Sequence, residues 1–442
     1  METILSLHGI DQFDKEGKAT IDITNLCMKK VLVIGSGGRE HAIVDALSRS
    51  LQVGKIYCAP GNAGIAKQAE IVAIKETDVT ALKTFALDNA IDLTVVGPEV
   101  ALAAGIVDEF RAVGLSIFGH TKQAAQIESS KEFAKKLMFK YNIPTARYKS
   151  FSNYEEAKEY VFSQPLPAVL KYDGLAAGKG VVIAETLQQA DEALRDMLLD
   201  DCFGNGSVVV EEYLEGPEFS FLCFVCGEKL YPMPLSQDHK RAYDGDKGPN
   251  TGGMGAYTCL PFITEEDWTY AFENIMKPTA KAMQSEGLPL TGVLYGGLMK
   301  TVTGIKVIEF NARFGDPETE VVLPLLCSDI YDIFYSIAEN KPIENIEWED
   351  AATIGVVLAS KGYPGSYEKG ALIKGLENVD AKIYHMGTSA KNDSIVTAGG
   401  RVMIIVSKAS TLVEAHAKVM KEVPKIECDN LFYRSDIGHK AF

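Results

Sequence analysis

From Lys29 onward, short apolar runs alternate with amphipathic stretches. KKVLVIG leads into the glycine-rich turn SGGRE and then HAIVDALSRSL, whose apolar residues recur at helical spacing; a strand, a tight turn and a helix are predicted. Apolar runs at KIYCAPG, EIVAIKE, IDLTVVGPE and GLSIFG then alternate with helical segments such as VTALKTFALDN and ALAAGIVDEFRAVG. That rhythm describes a Rossmann-like α/β unit over residues 28–128, a parallel sheet covered by helices, with ligands expected at the carboxyl ends of its strands.

After the helical SSKEFAKKLMFKYNI, Pro144 ends the periodicity. TARYKSF, LPAVLKYDG, KGVVIA, SVVVEEYLEG and EFSFLCFVCGEKLYPM read as short strands with few helices, an α+β insertion. The expected lid covers about 145–222 within a larger domain, 129–347. Residues 237–257 form a long polar stretch, a length that in compact domains usually signals function or disorder. Thr264 with Asp267 fits a capping box before a helix ending near Gly287, and two strands follow, GVLYGGLMKT and IKVIEFNARF. Residues 348–442, with strands near ATIGVVLAS and RVMIIVS, read as a smaller C-terminal α/β domain. Residues 1–27 are expected to be an extension without chemistry, in which Ile21, Ile23 and Leu26 are placed to add an edge strand or pack on a neighbour.

Composition narrows the classes. The chain has 442 residues, 46% hydrophobic and 24% charged, enough for about three domains with large cores. A net charge of −16 repels polyanions, so nucleic acid is not an expected partner. No apolar run reaches the roughly 18 to 20 residues a membrane span needs, and Asp11, Asp14 and Glu16 interrupt the N-terminus where a signal peptide would be apolar. Eight unevenly spaced cysteines fit a reduced, cytoplasmic protein. Cys223 and Cys226, three apart in a strand, point to opposite faces and are expected in the core. The chain is expected to work as a monomer on small molecules.

Three constellations carry chemistry. In Gly35-Ser36-Gly37-Gly38-Arg39-Glu40 the third glycine of a dinucleotide fingerprint is replaced by Glu40, and no acidic residue follows the second strand, which disfavours NAD. Backbone N–H groups beside Arg39 and His41 remain suited to a phosphomonoester, against the plainer reading of a tight turn. Gly174 to Gly180, with Gly178, Lys179 and Gly180 at its end, lacks Walker spacing and reads as a flap over phosphates or a plain hairpin; Lys171 just before it favours phosphates. In Lys306-Val307-Ile308-Glu309-Phe310-Asn311-Ala312-Arg313-Phe314, alternation puts Glu309, Asn311 and Arg313 on one face and Ile308, Phe310 and Ala312 on the other. A carboxylate, an amide oxygen and a guanidinium together suit a magnesium–phosphate site.

GSGGREHA, APGNAG, VVGPE, KYDGLAAGKGVV, EEYLEGPE, QDHKRAYDGDKGPNTGGMGAY, EFNARFGDPETE and YRSDIG occur in this order from residue 35 to residue 438. The whole chain beyond residue 27 thereby resembles the phosphoribosylamine–glycine ligase family of the ATP-grasp superfamily. The resemblance implies an N-terminal substrate-binding domain, an ATP-grasp domain and a C-terminal domain, with ATP and Mg²⁺ or Mn²⁺ as cofactors. It implies that glycine is phosphorylated on its carboxylate and then attacked by the amine of 5-phosphoribosylamine, a step of purine biosynthesis. By motif, Glu309 and Asn311 hold the metal, Arg313 faces the transferring phosphoryl group, and Lys131, Lys171, Gly178, Lys179 and Gly180 meet the phosphates. Glu211, Glu212, Tyr213 and Leu214 form the hinge against adenine, and Glu218 takes the ribose hydroxyls. Gly37, Gly38, Arg39, Glu40 and Asn62 are the phosphoribosylamine candidates; Asp238, Lys240 and Asp316 close over the amine and glycine. Two departures stand out: His120 in GHTKQA, where the family usually has proline, and GVLYGGLMK, which offers no carboxylate for a second metal. Another ATP-grasp ligase or carboxylase with a different acceptor is the alternative.

Overall fold

The computed structural model describes residues 10–13, 19–21, 28–174, 180–200 and 206–442. In the extension, Ile10–Phe13 pairs antiparallel with Ala19–Ile21 as a separate two-stranded sheet; of the residues expected to add an edge strand or pack on a neighbour, Ile23 and Leu26 lie outside the described residues.

Five parallel strands build the first α/β unit, in the order Glu70–Ile71, Val53–Pro60, Lys29–Gly35, Leu93–Val96, Ile117–Phe118. The central strand is covered on both faces, which is why VLVI is continuously apolar and fully buried. EIVAIKE yields only the two-residue strand Glu70–Ile71, exposed at the edge. Helix Gly38–Leu47 starts immediately after the central strand, and Glu40 Oε2 accepts the N–H of Gly37 at 2.6 Å, a cap supplied from inside the helix.

The lid is a four-stranded antiparallel sheet in the order Val181–Ala184, Ala168–Tyr172, Val208–Glu212, Tyr148–Phe151. It carries two helices, Tyr154–Phe162 and Leu187–Leu198, and a core of its own around Leu170, Leu194 and Val208. The largest sheet holds the rest together. Its main path runs Gly304–Asn311, Thr291–Thr301, Glu218–Cys226, Ser236–Asp238, Gly255–Thr258, Ala352–Ser360, Arg401–Ala409, Lys382–His385. It therefore crosses residue 348: Ala352–Ser360 pairs directly with Gly255–Thr258, and the C-terminal region extends the sheet of the region before it. Cys223 and Cys226 are free and buried in separate cores on the two faces of this sheet, as period-2 geometry requires. Thr264 caps helix Glu265–Ala271 with Asp267 as reciprocal partner, and a π turn, Phe272–Met276, joins it to Lys277–Ser285.

His120 is fully buried where the N-terminal unit meets the strand Thr291–Thr301. Its Nε2 lies 2.8 Å from the Val293 carbonyl and its Nδ1 accepts the N–H of Thr291 at 3.1 Å, so the imidazole bridges two parts of the fold.

Candidate active site

The site is built outward from the strand Gly304–Asn311. Glu309 stands opposite Gly297 and Val307 opposite Leu298, which leaves Ile308 as an extra residue in the ladder. That bulge interrupts the alternation. Val307, Phe310 and Ala312 enter the core, while Ile308 and Glu309 both face a cleft of about 160 Å³. Ile308 was expected beside Phe310 in the core; the bulge turns it onto the cleft wall and frees its carbonyl, which accepts from Lys171 Nζ at 2.9 Å.

Lys131, Lys171, Gly180, Glu211, Glu309, Asn311 and Arg313 line this cleft together. Arg313 sits between two carboxylates, Glu128 at 2.9 Å and Glu99 at 3.3 Å, and donates to Asn311 Oδ1 at 3.1 Å. The other oxygen of Glu128 accepts the N–H of Ala312 at 2.7 Å, which fixes the guanidinium to the backbone beside it. Lys131, at the start of helix Lys131–Lys140, donates to the Gly174 carbonyl at 2.9 Å; burial lowers its pKa, against the pull of Glu309. One helical turn on, Lys135 lies 2.9 Å from Glu211, which also faces Lys171 at 2.9 Å. Burial pushes Lys135 down to about 8. Burial alone would raise the carboxyl of Glu309, but Lys240, Lys171, Lys131 and Arg313 hold it below the usual carboxylate range. Among the described residues the Glu309 side chain makes no hydrogen bond or ion pair, and its charge is left facing the cleft.

The other candidates fall beside this cleft. Lys240 pairs with Glu218 at 2.9 Å, and Glu218 first, then Glu309 and Asp238, raise its pKa. Burial and Glu318 push Asp238 well above its ordinary value. Asp316 pairs with Arg401 at 2.8 Å and lies so close to Gly37 that an added Cβ there would stand 3.2 Å from its carboxylate. Three regions of the chain thus converge at Asp316. Glu40 fills the place of the third fingerprint glycine: its carboxyl group packs where a Cβ on Gly35 or Gly97 would clash, and pairs with Arg39 at 2.6 Å. The helix N-terminus thereby receives an internal anion.

Several expected side chains point elsewhere. Glu212 alternates to the face opposite Glu211 and pairs with Arg147 and Lys306, so its side chain is spent away from the cleft. Tyr213 is exposed, and neither it nor Leu214 or Glu218 lines the cleft. Asn62 spends its amide on the carbonyls of Ser36 and His385 and the N–H groups of Gly64 and Ile65, a loop clamp with no free hydrogen bond for a ligand. Gly178 and Lys179, with residues 175–177 of the proposed flap, lie outside the described residues.

Sequence reasoning missed Glu99, Glu128, Lys135 and Arg401. Lys135 had a signal, its i+4 spacing from Lys131 on one helix face. Glu128 stands three residues before Lys131, whereas Glu99 and Arg401 reach the site from distant parts of the chain.

Residues 29–128, 129–319 and 353–440 match the family models for the N, ATP-grasp and C domains of phosphoribosylglycinamide synthetase. A phosphoribosylamine–glycine ligase of Halalkalibacterium halodurans is 54% identical over 415 residues, 93% of this chain and 97% of that protein. The corresponding ligase of Listeria innocua is 49% identical over 417 residues, 93% and 99% of the two chains. Among solved structures, phosphoribosylamine–glycine ligase from Thermotoga maritima is similar with a TM-score of 0.82 at 32% identity, covering 92% of this chain and 100% of that one. A biotin carboxylase complex from Campylobacter jejuni shares the fold, with a TM-score of 0.70 at 14% identity over 92% and 93% of the two chains.

Proposed function

The chain belongs to the phosphoribosylglycinamide synthetase family, and we propose that Lys131, Lys171 and Arg313 grip ATP while glycine and phosphoribosylamine meet beside Asp316. Its activity is the ATP-dependent ligation of 5-phosphoribosylamine to glycine, in purine biosynthesis. The observation that carries the residue assignment is the single strand end on which Glu309, Asn311 and Arg313 face Lys131 and Lys171 across one cleft.

In this reading a carboxylate oxygen of glycine attacks the terminal phosphorus of ATP and ADP leaves. The amine of phosphoribosylamine then attacks the acyl carbon of glycyl phosphate, inorganic phosphate leaves, and the nitrogen gives up a proton. Arg313, already braced by Glu99 and Glu128, offers positive charge to the phosphoryl group without having to reorganise. Lys131 and Lys171 neutralise the remaining phosphate oxygens. Glu309 and Asn311 fit a hard cation, because both offer oxygen and the carboxylate is unspent within the fold. They would hold Mg²⁺, or Mn²⁺, which supplies positive charge at the nucleotide phosphates. Glu211 meets the base from the cleft wall, and Glu212, Tyr213 and Leu214, which stand outside the cleft lining, would reach it only through their backbone. Gly37, Gly38 and Arg39 receive phosphoribosylamine, shaped by Glu40 and Asn62; Asp238, Lys240 and Asp316 serve the amine and glycine.

The working unit in this reading is a monomer. No helix among the described residues is long and apolar enough to cross a membrane, and the six cysteines there are free, which supports a reducing compartment such as the cytoplasm. The test is ADP release with glycine and freshly generated phosphoribosylamine, omitting each in turn. Both omissions should stop turnover. Steady ADP release with another carboxylic acid and none with glycine would move the assignment to a different ATP-grasp ligase.

A further inference from the structure

Residues 434–440 line no part of the cleft, yet they reach back to the polar stretch that carries Lys240. Arg434 is fully buried and spends four N–H groups. Its Nε and Nη2 grip the two oxygens of Asp436 at 2.8 and 2.9 Å, and Nη1 donates to the Arg241 carbonyl and to Asp246 Oδ1, both at 3.0 Å. Fixed in this way, Asp436 accepts the N–H of Gly245 at 2.8 Å, while Asp244 accepts the N–H of Ser435 at 2.9 Å. On the other side of Lys240, the N–H of Gly438 donates to His239 Nε2 at 3.2 Å. The tail therefore holds both sequence neighbours of Lys240. Lys240 itself is turned inward: its carbonyl accepts the N–H and the hydroxyl of Thr251, at 2.7 and 2.8 Å, and its ammonium lies 2.9 Å from Glu218, with Glu309 and Asp238 as its next negative neighbours.

We propose that Arg434 is a positioning residue for the ligation: it ties the hairpin of Arg241–Tyr243 and Lys247–Asn250 to the C-terminal tail and so fixes where Lys240 presents its ammonium to the carboxylate of glycine. The inference rests on the reading that Lys240 serves glycine. The task needs a guanidinium, because only its planar fork can hold Asp436 at two oxygens and still reach the Arg241 carbonyl and Asp246. Once the fork is lost, the hairpin pivots about its bonds to Thr251 and Lys240 relaxes fully onto Glu218. Glycine must then compete with Glu218 for the ammonium. The groups assigned to ATP, Lys131, Lys171 and Arg313, stand on other elements and keep their places.

The experiment measures kcat, KM for glycine, KM for ATP and melting temperature in the unaltered protein, Arg434→Lys, Lys240→Ala and the double variant. Arg434→Lys keeps the charge and loses the fork; it should raise KM for glycine about tenfold, with kcat and KM for ATP within about twofold, because only a binding contact has been misplaced. In the Lys240→Ala background the same replacement should add nothing, since two residues acting through one contact are not additive. Equal losses in kcat and in both KM values, or full additivity in the double variant, would reduce Arg434 to a support of the fold and overturn the proposal. Lys240→Ala with an unchanged KM for glycine would sink the reading of Lys240 itself; a raised KM there beside a normal one in Arg434→Lys would sink the role of Arg434 alone. Altering a buried ion pair can prevent folding. In that case Asp244→Ala, which removes an exposed carboxylate and with it the bond from Ser435, takes the place of Arg434→Lys. It should raise KM for glycine about threefold and leave KM for ATP alone, and no selective rise would overturn the proposal.

Discussion

Lowering the pH from 7 to 5 should destabilise the fold through histidines that are buried neutral. His41, His120 and His239 each accept a backbone N–H at a ring nitrogen, from His385, Thr291 and Gly438 respectively. A proton on that nitrogen would abolish the bond and leave a charge without water. Burial accordingly pushes His120 down to about 4, and His41 and His239 down to about 3. The unfolded chain takes up protons near pH 6.5, so the stability these groups preserve is complete above that value and is lost as the pH falls toward the folded-state pKa values. Between pH 7 and pH 5 the loss is about 2 kcal/mol for each histidine, and roughly 6 kcal/mol for the three, against a total stability on the order of 5–15 kcal/mol. The assay is urea denaturation at both pH values, for the unaltered protein and for His120→Asn, whose amide oxygen can still accept from Thr291. The variant should start less stable at pH 7, because the bond to Val293 is gone, but should lose about 2 kcal/mol less on acidification. Identical losses in the two proteins would refute the claim that His120 is held neutral.

Glu309→Ala and Asn311→Ala should abolish metal-dependent ATP use with little change in melting temperature, whereas Phe310→Ala should cost about 3–5 kcal/mol because its ring is buried in the core. Matching melting-temperature losses in all three, with the polar variants still active, would contradict the two-face assignment. A chain starting at Met28 should fold and turn over like the full protein, since the family match begins at residue 29 and the described extension pairs only with itself. Insolubility or loss of phosphoribosylamine-dependent turnover in that shortened chain would place the extension inside the fold.

Period-2 alternation was enough to put Glu309, Asn311 and Arg313 on one face, because that rule depends only on the strand itself. It failed at Ile308, where the extra residue is decided by pairing with Leu298 and Gly297, some ten positions away. The turn at 35–40 was legible as an anion-accepting helix start, but not that Glu40 is itself the anion; a list of residue types does not say which groups are already satisfied. Asn62 illustrates the same limit, a polar side chain spent wholly on its own backbone surroundings. Arg401 was invisible because its partner Asp316 lies 85 positions earlier and no local pattern links the start of a C-terminal strand to the loop that carries Asp316.

The shared sheet bears on how the protein is made. Gly255–Thr258 finds its outer neighbour only in Ala352–Ser360, which in turn needs Arg401–Ala409. During synthesis at about 5–20 residues per second, roughly 100 residues must follow before the first of these pairings can form, a wait of about 5–20 seconds. A strand Gly255–Thr258 formed in that interval would stand as an open edge, the kind of surface on which chains aggregate, although every one of its residues is buried in the finished protein. The C-terminal region thus supplies the outer strands of a sheet begun long before it leaves the ribosome.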